Sequence, residues 1–258
     1  MPPRPGATPL ASTVSSPAGD NAGMENTLQW WPAEGRPEQL MILLHGVGAN
    51  GADLATLAER LHREFPQSVV LVPDGFEPFD EDPAGPGRQW FSLVDIDHPG
   101  LRAERAAALL PRMAAWVHAA QQATGLGPAA TALVGFSQGS IVALELIKAL
   151  DGLAGRVLAF AGRYGELPEQ APRHSTLHFF HGGADEVIPV QHAREAMQRL
   201  ADLQGDATID IAEGAGHEIP DVLLERALFR LRNHIPHRTW AAAMGAVPGL
   251  RDARPDDE

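Results

Sequence analysis

The twenty residues TALVGFSQGSIVALELIKAL, Thr131–Leu150, decide the fold. Thr131–Phe136 is a short apolar run of the kind that forms a fully buried strand. Ile141–Leu150 is apolar on nearly every side, with Glu145 and Lys148 as exceptions. That predicts a buried helix, with Gly152 beyond it as a C-terminal cap. Between the two lies Gly135-Phe136-Ser137-Gln138-Gly139, which is G-x-S-x-G. In a nucleophile elbow this serine sits at the tip of a strained strand-to-helix turn. The helix start then aims N–H groups and a positive dipole end at the place where an oxyanion forms. A chain this rich in glycine produces the pattern by chance about 0.08 times, so its placement between strand and helix carries the weight. The plainer alternative is a Gly-rich turn whose serine caps the helix.

A length of 258 residues suits one α/β domain with a large core. The formal charge of −13 argues against nucleic acid or an anionic membrane as main partner. With no cysteine there is no disulfide framework, thiolate metal site or cysteine nucleophile. No apolar run approaches the ~18 residues of a membrane span, so stable membrane insertion is not expected. Met1–Asp20 lacks the continuous apolar core of a signal peptide, and a cytoplasmic location is the expectation. No H-E-x-x-H or comparable spacing suggests a metal. No cofactor is expected.

Outward from the elbow, strands and helices alternate. Strands are expected at Thr27–Trp31, Leu40–Leu44, Ser68–Val72, Val157–Ala161, Thr176–Phe180 and Ala207–Ala212. Helices are expected at Leu54–Phe65, Arg102–Thr124, Val190–Leu203 and around Leu223–Leu231. Pro111 should kink or split the second of these. Phe76–Gly100 is a Pro- and Gly-rich excursion too long for a simple connector. Residues 1–23, with five prolines, read as a disordered arm, and 248–258 as a disordered acidic tail. The catalytic domain is placed at 24–247. The alternation predicts a largely parallel sheet covered on both faces, with no separate cap domain. Ligands should bind beyond the carboxyl ends of its strands.

Three residues just after strands fit one chemistry. Ser137 follows the elbow strand, Asp185 follows Thr176–Phe180, and His217 follows the last strand in Gly214-Ala215-Gly216-His217. Ser, Asp, His is the chain order of α/β-hydrolases. The hydroxyl needs a base to become a nucleophile. The imidazole needs a carboxylate to fix its tautomer. Asp185 could instead cap the helix before Val190, leaving Glu186 as the acid. His45–Asp53 also has two readings. Gly46-Val47-Gly48-Ala49-Asn50-Gly51 is G-x-G-x-x-G, with Asp74 ending the next strand, the pattern of a dinucleotide-binding turn. Chance supplies that pattern about 0.26 times here. As an oxyanion loop, the same segment would set Val47 N–H beside Gln138 N–H. Only this second reading gives Ser137, Asp185 and His217 a joint role.

The chain resembles the phospholipase/carboxylesterase family of α/β-hydrolases, which includes the acyl-protein thioesterases. The resemblance rests on Leu44-His45-Gly46-Val47-Gly48, Gly135-Phe136-Ser137-Gln138-Gly139, His181-Gly182-Gly183-Ala184-Asp185 with Pro189, and Gly216-His217. It is nearest to bacterial esterases that also carry Arg88-Gln89-Trp90-Phe91. It implies catalytic Ser137, Asp185 and His217, oxyanion donors at Val47 and Gln138, and a substrate site lined by the Trp90 segment. Many members differ at Asn50, Ser92 and Ser140, which bears on substrate preference more than on the triad. The expected activity is hydrolysis of small carboxylic esters of short to medium chain. A thioesterase or lysophospholipase with the same triad is the alternative, and a hydrolase-fold binding module a remote one.

Overall fold

The computed structural model describes residues 27–95 and 100–245. The expected arm over 1–23 and tail over 248–258 lie outside the described residues. In chain order the sheet strands and their covering elements are β1 (Leu28–Trp30), β2 (Gln39–Leu44), α1 (Ala55–Glu64), β3 (Ser68–Val72), the two-residue strands β4 (Glu77–Pro78) and β5 (Arg88–Gln89), α2 (Leu101–Thr124), β6 (Thr131–Phe136), α3 (Gln138–Ala149), β7 (Arg156–Phe160), β8 (Thr176–Gly182), α4 (Gln191–Asp202), β9 (Ala207–Ala212), α5 (Asp221–Asn233) and α6 (His237–Gly245). A seven-stranded sheet runs β1-β3-β2-β6-β7-β8-β9. β1 is antiparallel to β3, and every other pairing is parallel. β4 and β5 form a small antiparallel hairpin inside the 76–100 excursion.

Side chains alternate across the sheet with the strand period of two. Leu40, Ile42 and Leu44 pack on one face with α2, α3 and α4, beside Leu133, Val157 and Phe179. Met41 and Leu43 pack on the other with α1 and α5, beside Val134, Phe160 and Phe180. Both faces are thus dry, as parallel sheets require. The central strands read as apolar runs because each face of each has its own core to fill.

Two expectations need correction. Pro111 does not split its helix: α2 runs unbroken through it. Pro111 and Ala107, four residues earlier, are both exposed. The carbonyl left without an N–H therefore meets water, while Leu109, Met113, Trp116 and Val117 hold the opposite face in the core. The expected helices end around Leu231, yet another lies beyond Pro236. α6 follows it, tied down by His237 N–H to the Asp206 carboxylate at 3.1 Å, a contact between distant segments that local periodicity does not reveal.

Candidate active site

The elbow is built by close packing. Ser137 has φ 52° and ψ −116°, a left-handed region that costs a non-glycine residue about 1–3 kcal/mol. The turn is tight enough that a Cβ on Gly139 would overlap the Leu44 carbonyl, and one on Gly135 the Ser140 amide. Glycine is required at both positions by contact distance. Ser140 locks the turn from beneath, its hydroxyl 2.6 Å from Gly135 O and 2.8 Å from Phe160 O. Ser137 occupies the N-cap position of α3, yet its side chain makes no cap hydrogen bond. The capping-serine alternative therefore fails.

Its hydroxyl is instead 2.9 Å from His217 Nε2, and His217 Nδ1 is 2.8 Å from Asp185 Oδ2. The structure thus brings together the three residues read from the strand ends. β8 and β9 deliver the last two jointly. Gly183 N–H bonds Ala212 O and Ala184 N–H bonds Ala215 O, both within 2.9 Å, so the Asp185 and His217 loops are zipped to each other. The Asp185 side chain is fully buried. Its Oδ1 accepts the N–H groups of Val187 and Ile188, both at 2.9 Å, which leaves Oδ2 for the imidazole. Glu186 is exposed. His181, also buried, lies 3.4 Å from Asp185 Oδ2 but 2.7 Å from Ile188 O. Burial lowers its pKa, so it stands beside the carboxylate as a neutral donor to Ile188 O. The Phe136 ring packs on His217 at 5.1 Å between centroids.

Val47 and Gln138 line one cavity with Ser137, about 180 Å³ in volume. Among the described residues neither backbone N–H has a hydrogen-bond partner. The loop carrying Val47 is held through His45. Its Nδ1–H donates to Gly46 O at 2.7 Å, and its Nε2 accepts Gly75 N–H at 2.8 Å. Burial lowers the His45 pKa, which suits this neutral tautomer. Asp74, the acidic residue of the dinucleotide pattern, accepts Gly51 N–H at 2.8 Å, and Asn50 forms a capping box with Asp53. The glycine-rich turn is closed by its own acids.

Trp90 is placed differently from the expectation. It is 1% exposed and does not line the Ser137 cavity. Its indole N–H donates to His45 O at 2.9 Å. Its backbone N–H donates to Gln138 Oε1 at 2.8 Å, and Gln138 Nε2 donates to Phe91 O at 2.7 Å. The Trp90–Phe91 segment thus buttresses both halves of the amide pair from behind. Further residues at the cavity, Leu93, Ile141, Arg163, Val187 and His192, were not singled out in the sequence. Arg163 was within reach of the strand-end rule, since it stands three residues past β7. Among the described residues no group of three or more His, Asp or Glu side chains is arranged to hold a metal ion.

Comparison with known proteins gives the chain its family. Residues 30–235 match the phospholipase/carboxylesterase family. The chain belongs to that family. It is 43% identical over 216 residues to the esterase YpfH of Escherichia coli (strain K12), covering 83% of this chain and 91% of that one. Among solved structures of the fold, esterase PE8 superposes with a TM-score of 0.72 at 30% identity, over 81% of this chain and 99% of its own. The Bacillus cereus carboxylesterase superposes at 0.69 with 17% identity, over 83% and 96%, a likeness of fold. These relatives share the α/β-hydrolase architecture read from the alternation of strands and helices. Among the described residues of this family member, no helix is long and apolar enough to cross a membrane.

Proposed function

We propose that the chain hydrolyses short- to medium-chain carboxylic esters through an acyl-enzyme on Ser137. Membership of the family makes it a carboxylic ester hydrolase; the residue roles are inferred from geometry. The carrying observation is the unbroken line Ser137 Oγ, His217, Asp185 at the mouth of a cavity that two unpartnered amides share. Ser137 Oγ attacks the ester carbonyl as His217 Nε2 takes its proton. Asp185 holds the imidazole tautomer and stabilises the imidazolium. Val47 and Gln138 N–H groups receive the oxyanion. His217 then gives the proton to the departing alcohol. The same base next activates a water, and deacylation releases the acid. A cytoplasmic location belongs to this proposal on composition alone.

The acyl group belongs in the 180 Å³ cavity, because the oxyanion donors line it and His217, which must meet the alcohol oxygen, does not. At about 30 Å³ for a water-sized volume, the cavity holds roughly six non-hydrogen atoms. Efficiency should therefore climb about fourfold per methylene, the equivalent of ~0.8 kcal/mol, until the cavity is filled, and then level or fall. Steady-state kinetics on acetyl to palmitoyl esters and thioesters checks this. Ser137→Ala should lose on the order of 10⁶ in kcat with an unchanged circular dichroism spectrum. A climb that continues to palmitoyl thioesters would favour the thioesterase alternative. Retained turnover in Ser137→Ala would remove the nucleophile.

A further inference from the structure

The cavity beside Ser137 has apolar walls from Val47, Leu93, Ile141 and Val187, yet its lining also holds Arg102, Arg163 and His192 and, among the described residues, no carboxylate. That is an unusual balance in a chain with 33 acidic and 20 basic residues. Arg163 is positioned by the fold. Ala161, just past β7, is held at φ 47°, and strain of this kind concentrates at functional positions. The next residue, Gly162, packs against Ser140 and the Ser137 carbonyl, so the chain passes directly against the elbow before reaching Arg163. Arg163 is half-buried. Its Nη1 donates to His192 Nε2 at 3.1 Å. With Nε2 accepting, the hydrogen of that imidazole sits on Nδ1, which is 3.9 Å from Glu195 Oε2. Among the described residues no carboxylate lies within ion-pair distance of Arg163 itself. A guanidinium offers five N–H donors, and one contact to a histidine leaves the fork that matches a carboxylate open.

We infer that the acyl group of the preferred substrate carries its own carboxylate: the enzyme takes hemiesters of short dicarboxylic acids, and Arg163 receives the free carboxylate. The inference deepens the proposed reaction and rests on Ser137 as its nucleophile. The charge belongs on the acyl side, because Arg163 shares the cavity of the oxyanion donors and His217 does not enter it. A cavity for roughly six non-hydrogen atoms fits diacids of about four or five carbons, whose acyl groups carry about five or six such atoms beyond the reacting carbonyl. The chemistry is unchanged. Water adds across the acyl C–O bond, the alcohol leaves with one proton, and the dicarboxylate is released with its second carboxylate unaltered throughout.

The test compares ethyl hydrogen glutarate with ethyl pentanoate, which match in acyl length and alcohol, using the full chain near neutral pH. The wild type should favour the hemiester in kcat/KM. Arg163→Gln should lower that preference about tenfold or more, chiefly through KM, and Arg163→Lys should keep part of it. Raising the ionic strength should also lower it. Calorimetric titration of Ser137→Ala with free glutarate should show binding that Arg163→Gln in the same background abolishes. A wild-type preference for the neutral ester overturns the inference. So does an unchanged preference in an Arg163→Gln protein that melts like the wild type. If Ser137→Ala still hydrolyses both esters, the nucleophile assignment fails instead, and glutarate binding still decides the role of Arg163.

Discussion

Among the described residues a buried aspartate meets a half-buried histidine at each end of the sheet. Beyond the carboxyl ends of the strands, Asp185 meets His217 at 2.8 Å. Before the amino ends of β8 and β9, Asp206 meets His234 at 2.9 Å. Both carboxylates are saturated. Asp185 also accepts two backbone N–H groups. Asp206 accepts the Thr176 hydroxyl at 2.7 Å and His237 N–H. Distance and chemistry do not separate the two. What separates them is the far side of the imidazole. His217 turns its second nitrogen to a strained serine beside a cavity. His234 stands edge-on to His178 at 5.0 Å. The His178 pKa is lowered to about 3 by burial and by the Arg156 charge, so it stays neutral at any physiological pH. An aspartate–histidine pair fastens structure unless a nucleophile, an amide pair and an opening for substrate stand on its other side.

The largest break in that comparison comes from Asp185→Asn. The amide cannot hold the Nδ1–H tautomer with a charge, and kcat should fall on the order of 10⁴. Glu186→Gln, at an exposed neighbour, should change kcat severalfold at most. Kinetics on one good ester ranks them, and the reverse ranking would move the acid to Glu186.

Asp206→Asn should do the opposite: leave turnover within about twofold and lower stability by about 1–3 kcal/mol, the usual loss for hydrogen bonds to a buried charged group. Burial pushes the Asp206 pKa up, but hydrogen bonds from Thr176, His234 and the His237 amide outweigh it and hold the carboxyl below its ordinary value. A depressed folded pKa contributes stability that is present above the unfolded value of ~3.9 and is lost as pH falls through the folded one. The gap in melting temperature between wild type and Asp206→Asn should therefore be full at pH 7 and shrink well below pH 4. A gap that stays constant with pH would mean that packing, not charge, fastens α6.

The first of these pairs was legible in the sequence and the second was not, for a physical reason. Ser137, Asp185 and His217 each follow a strand, and a parallel sheet brings all its carboxyl ends to one side, so chain order plus topology assembles them. The sheet itself was legible because Leu40–Leu44 and Thr131–Phe136 are apolar on both faces. Asp206, Thr176, His234 and His237 come together through the docking of α6, a tertiary event with no local period. Trp90 lay between. Its place in the excursion could be read, but not the direction of its ring. A loop constrained by Asp80, which accepts Gln89 Nε2 and Ser92 Oγ at 2.7 Å each, has no periodicity from which to infer a face. Arg163 escaped because no motif surrounds it.

The smallest effect should come from Trp90→Phe, which asks whether the amide pair, absent from the Asp206 end, depends on its backing. Phenylalanine keeps most of the apolar contact with His45 and Phe76 but removes the indole N–H from the His45 carbonyl. That carbonyl lies two residues before Val47, so the loss loosens one oxyanion donor without deleting it. Full deletion of such a donor costs ~10²–10³ in kcat; a loosened one should cost about tenfold. The decisive feature is the pattern over chain length. A residue that buttresses the oxyanion amides lowers kcat by the same factor for acetyl, butyryl and hexanoyl esters and leaves KM nearly alone. A residue that lines the acyl site raises KM progressively as the chain grows. Because Trp90 is 1% exposed and does not line the Ser137 cavity, the uniform kcat loss is the expected result. A KM effect that deepens from acetyl to hexanoyl would return Trp90 to the wall of the substrate site.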